Sequence, residues 1–364
     1  MKTSDRSGRV HVIATVLILA AATIGFAVGY FEYNKPATTQ EGMSLTMLGL
    51  ANPVLNRLNE RFTDEDGDLV ADAPGDPAAW LDPEVLLFSY VAAEQGDEQS
   101  ETVWKQFVEH LAAQTGKKAE YVRFSDTKEQ LLALKNGKLH VAGLNTGNVP
   151  LSVNDCGFVP VCTFGDDQGM MEYVMNIIVP TQSPLQSVSD LQNHTLALTH
   201  PDSNSGFKAP LVILMNDFGM QVERDYLIQV TRSHDASIKG VADETYEAAA
   251  VASDMVTRAI SRGDAKQEQL RVIYESERFA NAALGYVYNL NPDLAKQITD
   301  AMFSFAWEGT GVGEEFSSLG ADRFVPIDYK NDWALIRRID DAMGNPHVVT
   351  EEASLPESAE AESI

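Results

Sequence analysis

Residues 200 to 210 read HPDSNSGFKAP and place Ser203, Asn204, Ser205 and Gly206 between a strand pattern, HTLALT, and a helix pattern, LVILMNDFGM. Small polar groups at a helix start serve one of two ends. A Ser or Asn oxygen can cap the orphan N–H groups of the first turn. Alternatively, the N–H groups and hydroxyls can converge on a phosphate-like anion, helped by the helix dipole. A second run, Ser233-His234-Asp235-Ala236, carries the same ambiguity. Ser and Asp are common caps, whereas His234 can donate a hydrogen bond from a ring nitrogen, more strongly if protonated.

A third cluster suggests different chemistry. TDEDGDLVAD puts Asp64, Asp66, Asp68 and Asp72 at relative positions 1, 3, 5 and 9, an alternation that lets carboxylates fold around a hard cation such as calcium. The EF-hand pattern fails, because Leu69 and Gly75 stand where it needs Gly and Glu. The run is similar to the D-x-D-G-D-x-x-x-D calcium loops of thrombospondin-type and dockerin-like repeats, in a single copy. A structural calcium is one expectation, a solvated acidic linker the other, and no cofactor is otherwise required.

The elements that must position these groups follow from periodicity. EVLLFSY, KAEYVRFS, LHVAGLN, GFVPVCTF and MEYVMNIIVP read as strands, with amphipathic helices ETVWKQFVEHLAAQTG and DTKEQLLALKNG between the first three. That β-α-β-α-β order predicts a parallel sheet with helices on its faces. A second cycle starts after Pro180, and LRVIYES returns the chain to the first. The expected fold is therefore α/β and two-lobed, with lobe 1 over 84–178 plus 275–345, lobe 2 over 179–274, and the ligand in the cleft at the strands' carboxyl ends.

The flanking segments differ in texture. Residues 36–83 read as a linker, and the acidic stretch 346–364, poor in large apolar residues, as a disordered tail. Within 1–35, Lys2, Arg6 and Arg9 precede an uncharged run from Val10 to Phe31. As a helix this run is about 33 Å long, enough to span a bilayer of about 30 Å. The basic flank belongs inside, which predicts a single-pass inner-membrane anchor with the body in the periplasm; cleavage after Ala27-Val28-Gly29 is the alternative.

The 364 residues carry a net charge of −26, which excludes nucleic acid and anionic membrane surfaces as partners. Cys156 and Cys162 form either a disulfide or two buried thiols. No Ser-His-Asp arrangement or histidine cluster suits catalysis, and the seven histidines are scattered.

In order and spacing, HPDSNSGFKAP, SHDASIKGV, YEAAAVASD and LRVIYESERFANAALGYV resemble the phosphate, phosphite and phosphonate substrate-binding proteins of ABC importers, the phosphonate-binding periplasmic family. The family shows D-P-x-S-T-S-G at this helix start, so His200 replaces Asp and Asn204 replaces Thr; the S-H-D-A run is intact. The resemblance spans roughly 84 to 344 and implies a type 2 periplasmic-binding-protein architecture, an ABC permease as partner, a monomer, and no enzymatic activity. It also implies an oxyanion held by Ser203, Asn204, Ser205, Gly206 and His234. Asn145 and Thr146 are expected to close over the ligand from the other lobe, Tyr90 either packs on the ligand or extends the core, and hinge crossings are expected near Val179 and Tyr274. Glu247 stands where the family carries an acid for a substrate amine, or is a plain strand-start charge. A second family acid is replaced by Asn281 and Ala282. A membrane-anchored sensor or scaffold ectodomain of the same fold is the alternative to transport.

Overall fold

The computed structural model describes residues 58–90 and 98–343. The expected membrane helix and the acidic tail lie outside the described residues. Among the described residues, no helix is long and apolar enough to cross a membrane.

Two sheets form the body. The first has strand order β12-β4-β11-β3-β1-β2, with β5 on the side of β4. Its strands are β1 (Val85–Tyr90), β2 (Lys118–Tyr121), β3 (Val141–Leu144), β4 (Phe158–Asp166), β5 (Gly169–Met170), β11 (Ala283–Val287) and β12 (Arg323–Pro326). The second has order β10-β6-β9-β7-β8, built from β6 (Glu172–Pro180), β7 (Thr195–Leu198), β8 (Leu227–Val230), β9 (Ala248–Ala252) and β10 (Leu270–Ala280). The first βαβαβ unit is parallel as its pattern predicts, with β1 between β2 and β3. The return strand β11 runs antiparallel to both β3 and β4, so the whole sheet is mixed.

The helices follow their local signals. α1 spans Glu98–Thr115 and stops at Gly116, whose positive φ suits a residue without a Cβ. α2 (Thr127–Lys135) is capped by the Asp126 carboxylate, which accepts from the Glu129 N–H. In lobe 2, α3 (Ala209–Phe218), α4 (His234–Ala242) and α5 (Ser253–Arg262) follow the carboxyl ends of β7, β8 and β9. α6 (Pro292–Ser304), α7 (Gly311–Phe316) and α8 (Ala334–Met343) close the chain. The core of lobe 1 gathers Phe88, Trp104, Phe107 and Phe164 without solvent exposure beyond 1%, and ring contacts such as Phe88–Phe107 at 5.2 Å add to the burial.

The crossings between lobes fall at Met171 and Asn281 instead of near Val179 and Tyr274. β6 and β10 pair with each other from Leu270 opposite Pro180 to Ala280 opposite Glu172, so both belong to the second sheet along their whole length. The segment expected as a linker is also different from residue 58 onward, where it packs on lobe 1. Phe62 meets Tyr288 edge-on at 4.8 Å. Asp155, fully buried, accepts from Asn59 Nδ2 at 2.9 Å and pairs with Lys135 Nζ at 2.7 Å. Cys156 and Cys162 are buried free thiols, and burial pushes both pKa values up, Cys156 to about 12.

Candidate ligand site

The turn at Asn204–Lys208 is a π-turn that enters α3. Ser203 caps it, accepting from Gly206 N–H at 3.0 Å, and Lys208 N–H reaches back to the Ser203 carbonyl at 3.1 Å. Its tight approach to β7 depends on Gly206, because a Cβ there would stand 1.9 Å from Thr199 Oγ1. The glycine thus serves packing against the end of β7.

His234 meets this turn from α4. Its Nδ1 accepts from the Ala252 N–H at 3.2 Å, which leaves the proton on Nε2, and Nε2 lies 3.1 Å from Ser203 Oγ. Ser203 Oγ then accepts two hydrogen bonds, from Gly206 and from His234. Its own proton has no place among them and is free for an external acceptor. Burial lowers the His234 pKa to about 4, so the ring is neutral at neutral pH and donates from Nε2 without the added strength of a charge. The plain cap at this second run is Ser233, which accepts from Ala236 N–H at 3.1 Å.

Asn204 and Ser205 are each 2% exposed. Asn204 Nδ2 donates to the Tyr173 hydroxyl at 3.3 Å, and the hydroxyls of Thr146 and Ser205 oppose the rise that burial gives the pKa of the same phenol. Tyr173 opens β6, and β6 runs antiparallel to β9 with Met175 opposite Ala252. The start of β6 therefore lies with the carboxyl ends of the parallel strands. Thr146 in turn donates to the Ala280 carbonyl at 3.1 Å.

In lobe 1, Tyr90 is the last residue of β1, and Asn145 and Thr146 follow the carboxyl end of β3. Tyr90 lies against Trp104 with ring centres 4.5 Å apart, and burial raises its pKa. Asn145 is used locally, its Oδ1 accepting from Asn148 N–H at 2.9 Å. Gly147 packs closely against lobe 2. A Cβ there would stand 2.3 Å from the Asp202 carbonyl oxygen and 2.9 Å from Asn204 N. Lys208 spans the same junction, donating to the Gly147 carbonyl at 2.7 Å and pairing with Asp340 of α8 at 2.8 Å.

Glu247 is not brought to this cluster. It precedes β9, beside Thr195 at the amino ends of the strands, and accepts from Thr195 N–H at 2.9 Å and from His194 Nδ1 at 3.1 Å. Five strand residues span about 16 Å, beyond the reach of a Glu side chain. The Thr195 N–H bond is the main reason its pKa is lowered. A different acid occupies the cleft. Asp254, in the first turn of α5, has a buried Oδ1 without a partner and accepts at Oδ2 from Asn281 Nδ2 at 3.4 Å. Burial raises its pKa.

Sequence reasoning missed Tyr173, Lys208 and Asp254. Asp254 carried a readable signal, a polar residue just after the apolar run AAAVAS, but Tyr173 looks like any aromatic in a buried strand. In the acidic loop, ligand atoms of Asp64, Asp66 and Asp68 lie within 4.8 Å of one another. Asp72 is directed instead to the Glu65 N–H at 2.8 Å.

Over residues 89–333 the sequence matches the family described as ABC transporter, phosphonate, periplasmic substrate-binding protein. No curated protein matches it in sequence. A binding protein component of an ABC phosphonate transporter from Pseudomonas aeruginosa superposes with TM-score 0.60 at 17% identity, covering 71% of this chain and 86% of the other. PhnD1 from Prochlorococcus marinus, solved in complex with methylphosphonate, gives TM-score 0.62 at 14% identity over 72% and 99% of the two chains. A Xanthomonas citri protein bound to ATP gives 0.59 at 15% identity over 72% and 98%. At such identities the superpositions speak for the fold, two α/β sheets joined as in periplasmic binding proteins. The family match extends over most of the body and contains every residue of the cluster around Ser203 and His234, and by it the chain belongs to the periplasmic phosphonate-binding proteins of ABC transporters, a family of solute-binding proteins and not of enzymes.

Proposed function

We propose that this protein captures a phosphonate, or a phosphite or phosphate-like oxyanion, in the periplasm and hands it to an ABC permease. The observation that carries the reading is Ser203: with both acceptor positions filled by Gly206 and His234, its hydroxyl proton is available to an anion at a helix start. Backbone N–H groups of the same turn add further donors. PhnD1, the Prochlorococcus relative in fold, holds methylphosphonate, which supports the phosphoryl class.

The run from Val10 to Phe31 is proposed to anchor a monomeric body to the inner membrane. Asp64, Asp66 and Asp68 are proposed to hold a structural calcium through carboxylate oxygens. Calorimetry with methylphosphonate, phosphite, phosphate and 2-aminoethylphosphonate tests the central reading. Binding of at least one below millimolar concentration supports it, and failure of all four contradicts it.

A further inference from the structure

The hydrogen bonds around Tyr173 leave one buried acceptor without a donor. Ala280 offers a carbonyl, which can only accept, so the Thr146 hydroxyl proton is committed to it at 3.1 Å. The Tyr173 oxygen accepts from Asn204 Nδ2 at 3.3 Å. The consequence is that Asn204 Oδ1 has no hydrogen-bond partner although the residue is 98% buried, its exposure being 2%. Thr199 Oγ1, the other unpartnered oxygen of the turn, does not reach it. Lys208 Nζ is held by Gly147 and Asp340.

A buried acceptor without a donor is costly, and a ligand that brings the donor removes the cost. We infer that Asn204 Oδ1 accepts a hydrogen bond from a P–OH group, so that the site takes its phosphonate or phosphate-like ligand as the singly protonated monoanion. The inference rests on the oxyanion reading above and adds the protonation state of the ligand. Ser203 donates to one ionised oxygen while Asn204 accepts from the protonated one. The Asn in place of a hydroxyl residue is what makes this selection, since a hydroxyl could serve as donor or acceptor.

The titratable groups facing Asn204 come from several elements. Tyr173 of β6 is pushed up to about 12 and His234 of α4 down to about 4, so neither changes state between about pH 6 and pH 9. Lys208 and Asp340 form a buried pair, β9 contributes no ionisable residue, and Asp254 of α5 together with His200 and Asp202 before the turn complete the set.

The test is calorimetric titration of the full chain with methylphosphonate across the ligand's second ionisation. The affinity is expected to fall about tenfold per pH unit above that ionisation, as the monoanion is depleted. Asn204→Thr is expected to flatten the profile, and Asn204→Asp to keep it. The slope is expected to persist in His200→Gln and in Asp254→Asn. Affinity that stays level or rises as the dianion forms overturns the inference while leaving the oxyanion reading intact. Loss of the slope in Asp254→Asn or His200→Gln assigns the proton elsewhere and also overturns it. Absence of binding at every pH removes both.

Discussion

Nε2 of His234 stands 3.1 Å from Oγ of Ser203, a contact that joins two runs 31 residues apart in sequence. The ring is oriented by the Ala252 N–H on its other nitrogen. A small-residue strand thus sets the tautomer of the histidine, and the histidine sets the direction of the serine proton.

That arrangement makes His234 a neutral donor. Replacing it with Ala leaves Ser203 without one of its two donors and frees its proton to turn away from the ligand. A loss of about tenfold or more in affinity is expected, the scale of one hydrogen bond to a charged group. The check is calorimetry on the variant against wild type.

His234 also links stability to pH. Its folded pKa of about 4 lies below the ordinary value near 6.5, so the unfolded chain binds the proton first as pH falls. The native state therefore loses stability between about pH 6.5 and pH 4 and is unaffected by this group above that window, with a contribution on the order of 3 kcal/mol. Denaturant unfolding at several pH values, wild type minus His234→Gln, should show the loss in this interval alone.

Glu247 is expected to be silent in binding. Glu247→Gln keeps ligand affinity within experimental error and changes stability by less than about 1 kcal/mol, because its contacts with Thr195 and His194 are about half exposed. A clear loss of affinity for an amine-bearing phosphonate would return Glu247 to the site.

Gly147 and Gly206 separate closure from folding. Gly147→Ala puts a Cβ against the Asp202 carbonyl across the lobes, so ligand affinity should fall while each lobe keeps its packing. Gly206→Ala drives a Cβ into Thr199 within lobe 2 and should lower the melting temperature itself. Thermal melts and titrations of both variants distinguish the two effects.

The acidic loop gives a prediction of its own. Millimolar calcium should raise the melting temperature relative to chelator, and Asp66→Ala should abolish the rise. An equal melting temperature with and without calcium excludes the ion.

The legible part of the molecule was that carried by period and spacing. The βαβαβ unit and the cap at Asp126 follow from local chemistry, and the two runs that carry the family resemblance, HPDSNSGFKAP and SHDA, do meet in space. Glu247 was misplaced because its role was carried over from the family resemblance, whereas a residue before a parallel strand sits at the amino end, away from a cleft at the carboxyl ends. Tyr173 was hidden for the opposite reason: β6 runs antiparallel to β9, so the cleft receives the start of this strand, and only pairing reveals that. The packed segment from residue 58 was obscured by its Asp, Pro and Gly content, which reads as a linker until Asn59 is seen bonded to the buried Asp155.

The central claim is that the Ser203 turn, oriented by His234, holds the oxyanion. Its most direct test is calorimetric titration of methylphosphonate into wild type, Ser203→Ala and Glu247→Gln in parallel. The account predicts an affinity loss of roughly ten- to a hundredfold for Ser203→Ala, from about 1.5–3 kcal/mol of charge-assisted hydrogen bonding, with Glu247→Gln unchanged. Unaltered binding in a folded Ser203→Ala protein would contradict it.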